Sequence, residues 1–354
     1  MKKNLLWLFL IFVACNELPI GEEQLNLRED FTAQFVEFSP YVTLTKYKNI
    51  TLGASNNLIL GKNSDYESRI LLKFNLPDSL DQGFDEIKLI LHRNNNLENS
   101  TVKFSIHLLT NSFEETQATW VKRTSEEVWS TNGGDFEPDS IRLGEINSDS
   151  LVVWFNYNEL EMIKSSEGLI IIPEDTGFVG LYSKEGSIAP KFYLIKNGVV
   201  TSISVQHDCH ILTGFEPAQH ESWIGSGMAF RNYVKFNFDT CLTNKKAVYA
   251  ELTIRPASHF GMRDTIEIGI KELLEPLEEY STPTGPFIAL DEFAVTDTLF
   301  NIDIVKHVQR IIDNPDSNFG FFIILSPENY DISNVKFLDA HHLKVGYISP
   351  PGER

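Results

Sequence analysis

From residue 35 onward, apolar and polar positions alternate in short runs separated by clusters of Asn, Gly, Asp, Ser and Pro. The run Val102-Lys103-Phe104-Ser105-Ile106-His107-Leu108 puts Val, Phe, Ile and Leu on one face. That period of two is the mark of a strand buried on one side, as in an antiparallel sandwich. A spacing near three occurs at Leu151, Trp154, Tyr157, Leu160 and Ile163, and again at Leu299, Ile302, Val305, Val308 and Ile311. It predicts one short amphipathic helix in each half, the second capped by Asp303.

The two halves echo each other. Arg69-Ile70-Leu71-Leu72-Lys73-Phe74-Asn75-Leu76 returns as Arg231-Asn232-Tyr233-Val234-Lys235-Phe236-Asn237-Phe238, with Gly61 and Gly225 ahead of them. Ile87, Leu89 and Leu91 answer to Ala250, Leu252 and Ile254, and Phe113-Glu114-Glu115 answers to Leu277-Glu278-Glu279. Each helix leads through a Gly into an apolar strand, at Gly168 and at Gly320. An ordered set of matches of this kind predicts a duplicated unit. The expected fold is all-β: two tandem jelly-roll-like antiparallel β-sandwiches, each with one short helix. The expected boundaries are residues 35–197 and 198–354, joined near Lys196-Asn197-Gly198.

The first residues follow another rule. Met1-Lys2-Lys3 precedes an apolar run from Leu5 to Ala14, too short to span a bilayer, which needs about 20 residues, and suited to a secretory signal. It ends in Phe12-Val13-Ala14-Cys15, which resembles a bacterial lipobox. The resemblance implies cleavage after residue 14 and acylation of Cys15, holding the protein at a membrane. Residues 15–34 then read as an acidic tether. Asn16, by analogy with lipoprotein sorting in enteric bacteria, favours the outer membrane. The expected location is the cell envelope, lipid-anchored, on the periplasmic or surface face.

With 30 Lys and Arg against 49 Asp and Glu, the formal net charge is −19. That balance speaks against a nucleic-acid partner and against electrostatic docking on anionic lipid. Only the lipid anchor is expected to touch the membrane.

The segments Ser68–Leu76, Trp120, Trp129-Ser130-Thr131-Asn132-Gly133-Gly134-Asp135-Phe136 and Ile302–Gln309 resemble the DNRLRE family, related to disaggregatase-type carbohydrate-binding modules. The resemblance covers about residues 35–350, although the second half lacks counterparts of Trp120, Trp129 and the Gly-Gly-Asp loop. It implies extracellular, non-catalytic modules, some of which bind glycans.

Trp120, Trp129, Asp135 and Arg69 are the ligand-binding candidates. Sugar C–H faces stack on exposed indoles; the alternative is that these Trp pack inside the sandwich and pin the loop. Asn132-Gly133-Gly134-Asp135, and more weakly Asp65, offer oxygens to a sugar hydroxyl or a structural Ca²⁺; the alternative is a plain turn. Arg69 and Arg231 either clamp a sugar carboxylate or tie strand ends to acidic loops. Cys209 and Cys241 are candidates for a disulfide, which export permits. His207-Asp208-Cys209-His210 is split between strand faces and argues against a metal site. Glu114-Glu115 and Glu278-Glu279 read as solvated loop charges rather than a catalytic pair. No nucleophile elbow, P-loop or dinucleotide fingerprint is present. The expected function is therefore polysaccharide binding without catalysis or cofactor. The alternative is a structural or adhesive lipoprotein docking another envelope protein.

Overall fold

A computed structural model describes residues 33–77, 83–97, 99–218, 220–238, 240–338 and 341–349. The signal segment 1–14, the lipidation residue Cys15 and nearly all of the tether 15–34 lie outside the described residues. The strands are β1 (Gln34–Phe38), β2 (Val42–Asn49), β3 (Asn57–Lys62), β4 (Tyr66–Phe74), β5 (Glu86–His92), β6 (Val102–Leu108), β7 (Arg142–Ile146) and β8 (Ser150–Phe155). Helix α1 (Tyr157–Ser165) leads to β9 (Leu169–Pro173), β10 (Gly177–Tyr182), β11 (Lys191–Lys196) and the long β12 (Val199–Gly214). There follow β13 (Trp223–Ser226), β14 (Met228–Lys235), β15 (Lys246–Ile254), β16 (Pro256–Phe260), β17 (Thr265–Leu273), β18 (Thr284–Ala294) and β19 (Phe300–Asp303). Helix α2 (Val305–Asp313), β20 (Phe321–Ser326), β21 (Ser333–Phe337) and β22 (His342–Ile348) complete the chain. The strand pairs of these sheets are antiparallel, the arrangement in which strands buried on one face are common.

In the first sandwich one layer runs β7-β6-β9-β4-β12 and the other β12-β11-β5-β8. Strand β12 serves both. Val199–Ser204 pairs with β11, Val205–Gly214 pairs with β4, and a bulge between Val205 and His207 turns the strand from one layer to the other. Ile70, Leu72, Ile106 and Ile171 from one layer meet Leu89, Leu151, Phe192 and Leu194 from the other in a closed apolar core. In the second sandwich, β16-β21-β13-β14-β20-β17-β18 faces β1-β22-β15-β19, with Val234, Ile268 and Ile323 packed against Leu252, Ile302 and Leu343.

The expected boundary at Lys196-Asn197-Gly198 is corrected by the pairing. Asn197 and Gly198, with φ of 50° and 77°, form the two-residue turn of a β11–β12 hairpin, for which positive φ at both positions suits the strand twist. Residues 199–214 therefore belong to the first sandwich. Strands β1 and β2, which precede it in sequence, pair instead with β22 and β14 of the second. A bent pair β1–β2 thus does in the second sandwich what the bent β12 does in the first.

The helix expectation is also shifted. Leu151 and Trp154 lie on β8, and Leu299 and Ile302 on or beside β19; the helices begin only at Tyr157 and Val305. Asn156 starts α1 with a capping box, accepting from the Glu159 N–H while Glu159 accepts from the Asn156 N–H. Asp303 accepts from the Val305 N–H at 2.8 Å, fixing the strand-to-helix turn ahead of α2.

Between the sandwiches, Tyr66, Phe178 and Leu212 pack against Met228, Phe230 and Ile332. Asn334 Nδ2 donates to Tyr66 Oη at 2.8 Å, satisfying a polar group that this packing buries. Among the described residues, no helix is long and apolar enough to cross a membrane.

Candidate functional site

The four candidates from the sequence do meet in space. The segment between β6 and β7 folds over the outer face of β4, β9 and β12, so that Phe113 and Trp129 cover Leu71, Ile170, Cys209 and Ile211. Trp129 is 3 % exposed, and its Nε1 donates to the Thr119 carbonyl at 2.9 Å. No indole face is left for a sugar, so the packing alternative describes Trp129. Asp135 accepts from the N–H groups of Ser130 and Thr131 at 2.9 and 2.8 Å, and from Asn111 Nδ2 at 3.0 Å. Burial raises its pKa, but these donors outweigh burial and hold the carboxyl below its ordinary value. Both carboxylate oxygens face N–H donors, which is the wrong polarity for a cation ligand. Of the readings offered for this turn, a sugar or Ca²⁺ ligand or a plain turn, the geometry matches the plain turn, clasped by hydrogen bonds.

Arg69 ties the cluster together. Its guanidinium lies 4.7 Å from the Trp120 ring centroid and 5.8 Å from that of Phe136. Its Nη1 donates to Gly133 O at 2.9 Å, and its Nε donates to Glu67 Oε1 at 2.7 Å. Gly133 has φ of +91°, and a Cβ there would approach Trp120 Cζ2 to 2.7 Å, so only Gly fits beneath the stacked pair. Arg231 repeats the arrangement over Tyr280 at 3.9 Å, with a bidentate pair to Glu328 at 2.8 and 2.6 Å. Both arginines are thus strand-to-loop ties. Trp120 is half-buried, whereas Trp129 is closed off.

The cysteine expectation is corrected as well. Cys209 and Cys241 are both free thiols. Cys209 sits on the β4-facing half of β12 beneath Trp129, whereas Cys241 is exposed on a short 3-10 helix of the second sandwich. The strand exchange puts them in different sandwiches. Glu115 also departs from expectation: it is buried, and it pairs with Lys184. Glu278 and Glu279 lie in a turn whose N–H groups donate to Thr282 Oγ1 at 3.1 Å.

A more open surface lies on the outer face of the β12-β11-β5-β8 layer. Leu151, Val153 and Phe155 of β8 point into the core, so strand alternation turns Trp154 outward, where it is 50 % exposed. Trp154 lies opposite Lys88, Lys88 opposite Tyr193, and Tyr193 opposite Ser202. The four side chains form one row across four strands. The Lys88 ammonium lies 4.9 Å from the Trp154 ring centroid, a cation–π contact that steadies the indole. With strands about 4.8 Å apart, the two aromatic residues stand about 10 Å from each other. The same row in the second sandwich reads Asp303, Glu251, Lys344 and Glu37, with no aromatic residue.

Residues 38–132 match the family model of carbohydrate-binding module family 96. That segment is carbohydrate-binding-module-like. The matched residues run from the end of β1 through β2 to β6 and the Trp120 loop. They therefore begin in strands that pair within the second sandwich and continue in the first. No curated protein matches the chain.

Trp154, Tyr193 and Lys88 were missed in the sequence because Trp154 fitted a helical spacing with Leu151 and Tyr157. The available signal was Leu151-Val152-Val153-Trp154-Phe155, five consecutive apolar residues rich in β-branched and aromatic types, which favours a strand over a helix.

Proposed function

We propose that the chain is a non-catalytic, lipid-anchored envelope protein that binds polysaccharide on the outer face of the β12-β11-β5-β8 layer. The observation that carries this reading is the half-exposed Trp154 indole, in one row with Lys88, Tyr193 and Ser202, in a sandwich that shares residues 50–132 with the segment matching a carbohydrate-binding family. An indole stacks on the C–H face of a sugar ring, a second aromatic two strands away meets a further ring, and Lys and Ser supply donors to hydroxyls. Trp120 contributes at most a separate edge, because Arg69 already covers one of its faces.

In this reading the two sandwiches are copies of one module with their leading strands exchanged, and only the first keeps the binding row. Cys15 carries the lipid, residues 16–33 tether the sandwiches, and the protein stands at the outer membrane. Incorporation of labelled fatty acid, lost in Cys15→Ala, tests the anchor. A polysaccharide panel on residues 16–354, with Trp154→Ala and Trp120→Ala compared after a folding check, tests the face. Binding that disappears only in the first variant supports it. If no glycan binds at all, the reading gives way to docking of another envelope protein.

A further inference from the structure

Away from that face, three acidic side chains from separate segments converge. Glu115 comes from the loop after β6, Glu185 from the turn between β10 and β11, and Asp208 from β12 just after its bulge. Their carboxylate oxygens lie within 4.8 Å of one another. Glu115 and Asp208 are buried, and Glu185 is exposed at the entrance. Lys184 places its ammonium among them. It pairs with Glu115, lies 3.8 Å from Glu185 Oε1 and donates to the Gln206 carbonyl at 3.0 Å.

This pairing is incomplete. Glu115 takes the ammonium and Glu185 reaches solvent, so the deficit falls on Asp208. Burial pushes the pKa of its carboxyl up to about 7, and a buried polar group without its full set of partners is costly. Asp208 shows the deficit most clearly. It has no solvent exposure, its Oδ2 accepts from the Lys184 backbone N–H at 2.9 Å, and its Oδ1 has no donor. His207 Nδ1, 3.3 Å from Glu115 Oε2, is the other titratable group at the cluster. Glu115 itself is firmly placed, since Gly53 packs so closely that a Cβ there would lie 1.9 Å from the Glu115 carbonyl oxygen.

We propose that Glu115, Glu185, Asp208 and the Gln206 carbonyl form a calcium site, in which the cation takes the place of the Lys184 ammonium. The donors are all hard oxygens, three of them anionic, which suits Ca²⁺ with water completing its shell and does not suit a thiolate- or imidazole-seeking metal. The Lys184 side chain is part-exposed and swings into solvent when the cation enters. The unpartnered Asp208 Oδ1 then gains a ligand. The site joins the loop that carries Trp120 and Trp129 to β12, so calcium would brace the first sandwich at the point where its long strand changes layer. The proposal is independent of glycan binding.

Calorimetric titration of Ca²⁺ into chelator-stripped residues 16–354, with melting curves alongside, tests it. One saturable site and a calcium-dependent rise in Tm are expected. Affinity should fall at least tenfold in Asp208→Asn and in Glu185→Gln, and rise in Lys184→Gln, which removes the competing ammonium. Glu185 is at the entrance and exposed, so its variant keeps the test intact if Asp208→Asn does not fold. The absence of saturable heat at millimolar Ca²⁺ would overturn the proposal. So would unchanged affinity in Glu185→Gln, or equal affinity for Mg²⁺.

Discussion

Leu44 lies opposite Tyr233, in the position that Cys209 occupies opposite Leu71. Phe38 opposite Leu343 and Ile203 opposite Phe192 repeat the relationship in the other layer. The second sandwich is therefore completed by β1–β2, remote from it in sequence, and the first by β12, which follows β11 through a hairpin. Replacing Val36 and Leu44 by Asp is expected to loosen the second sandwich alone. Hydrogen exchange should quicken in β14 and β22 and stay unchanged in β4 and β11. Quickening in β4 and β11 instead would show that residues 34–49 complete the first sandwich.

The loop over β4 and β9 is held by Trp129 from inside and by Asp135 at its turn. Trp129→Ala removes a buried aromatic and is expected to cost about 3–5 kcal/mol, seen as a fall in the denaturant midpoint. Trp120→Ala, on the partly open side, should cost clearly less. Asp135→Ala leaves the Ser130 and Thr131 N–H groups without their acceptor and should cost about 2 kcal/mol. Equal costs for the two tryptophans would contradict this division of roles.

The thiols give a direct check on the corrected disulfide. In residues 16–354, a thiol reagent should label Cys241 in the native protein, and Cys209 only after unfolding, because Cys209 is 1 % exposed beneath Trp129. Failure of both to react after non-reducing denaturation would mean that they are bridged.

His341 makes part of the stability depend on pH. Its Nε2 lies 2.7 Å from Asn232 Oδ1. Burial first, and the neighbouring His342 second, push its pKa down from the usual 6.5 to about 4. The unfolded chain takes up a proton near 6.5, the folded one only near 4. The contribution of neutral His341 is therefore complete above about pH 6.5 and is lost as the pH falls towards 4. Melting temperatures across that range should fall less steeply in His341→Gln than in the unaltered protein. An identical slope would remove His341 from the account.

Much of the architecture was legible from the sequence. The alternation in Val102–Leu108 became β6 with its apolar face in the core, and the repeated Arg-led segments became β4 and β14. What the sequence could not show was which sandwich a strand completes. Residues 34–49 and 199–214 carry the same kind of alternation, and only long-range pairing separates them. Arg69, Trp120, Trp129 and Asp135 were named from the sequence as separate candidates, and their mutual contacts use up most of what each could offer a ligand. Glu115 looked like a loop charge because nothing local shows that β12 folds back over it.

The central claim is that the Trp154 row binds polysaccharide. Affinity electrophoresis of residues 16–354 through gels containing polysaccharide, beside the Trp154→Ala/Tyr193→Ala double variant, tests it most directly. The account predicts retardation of the unaltered chain by at least one polysaccharide and free migration of the folded double variant. Undiminished retardation of that variant, or its loss only when Trp120 is replaced, would contradict it.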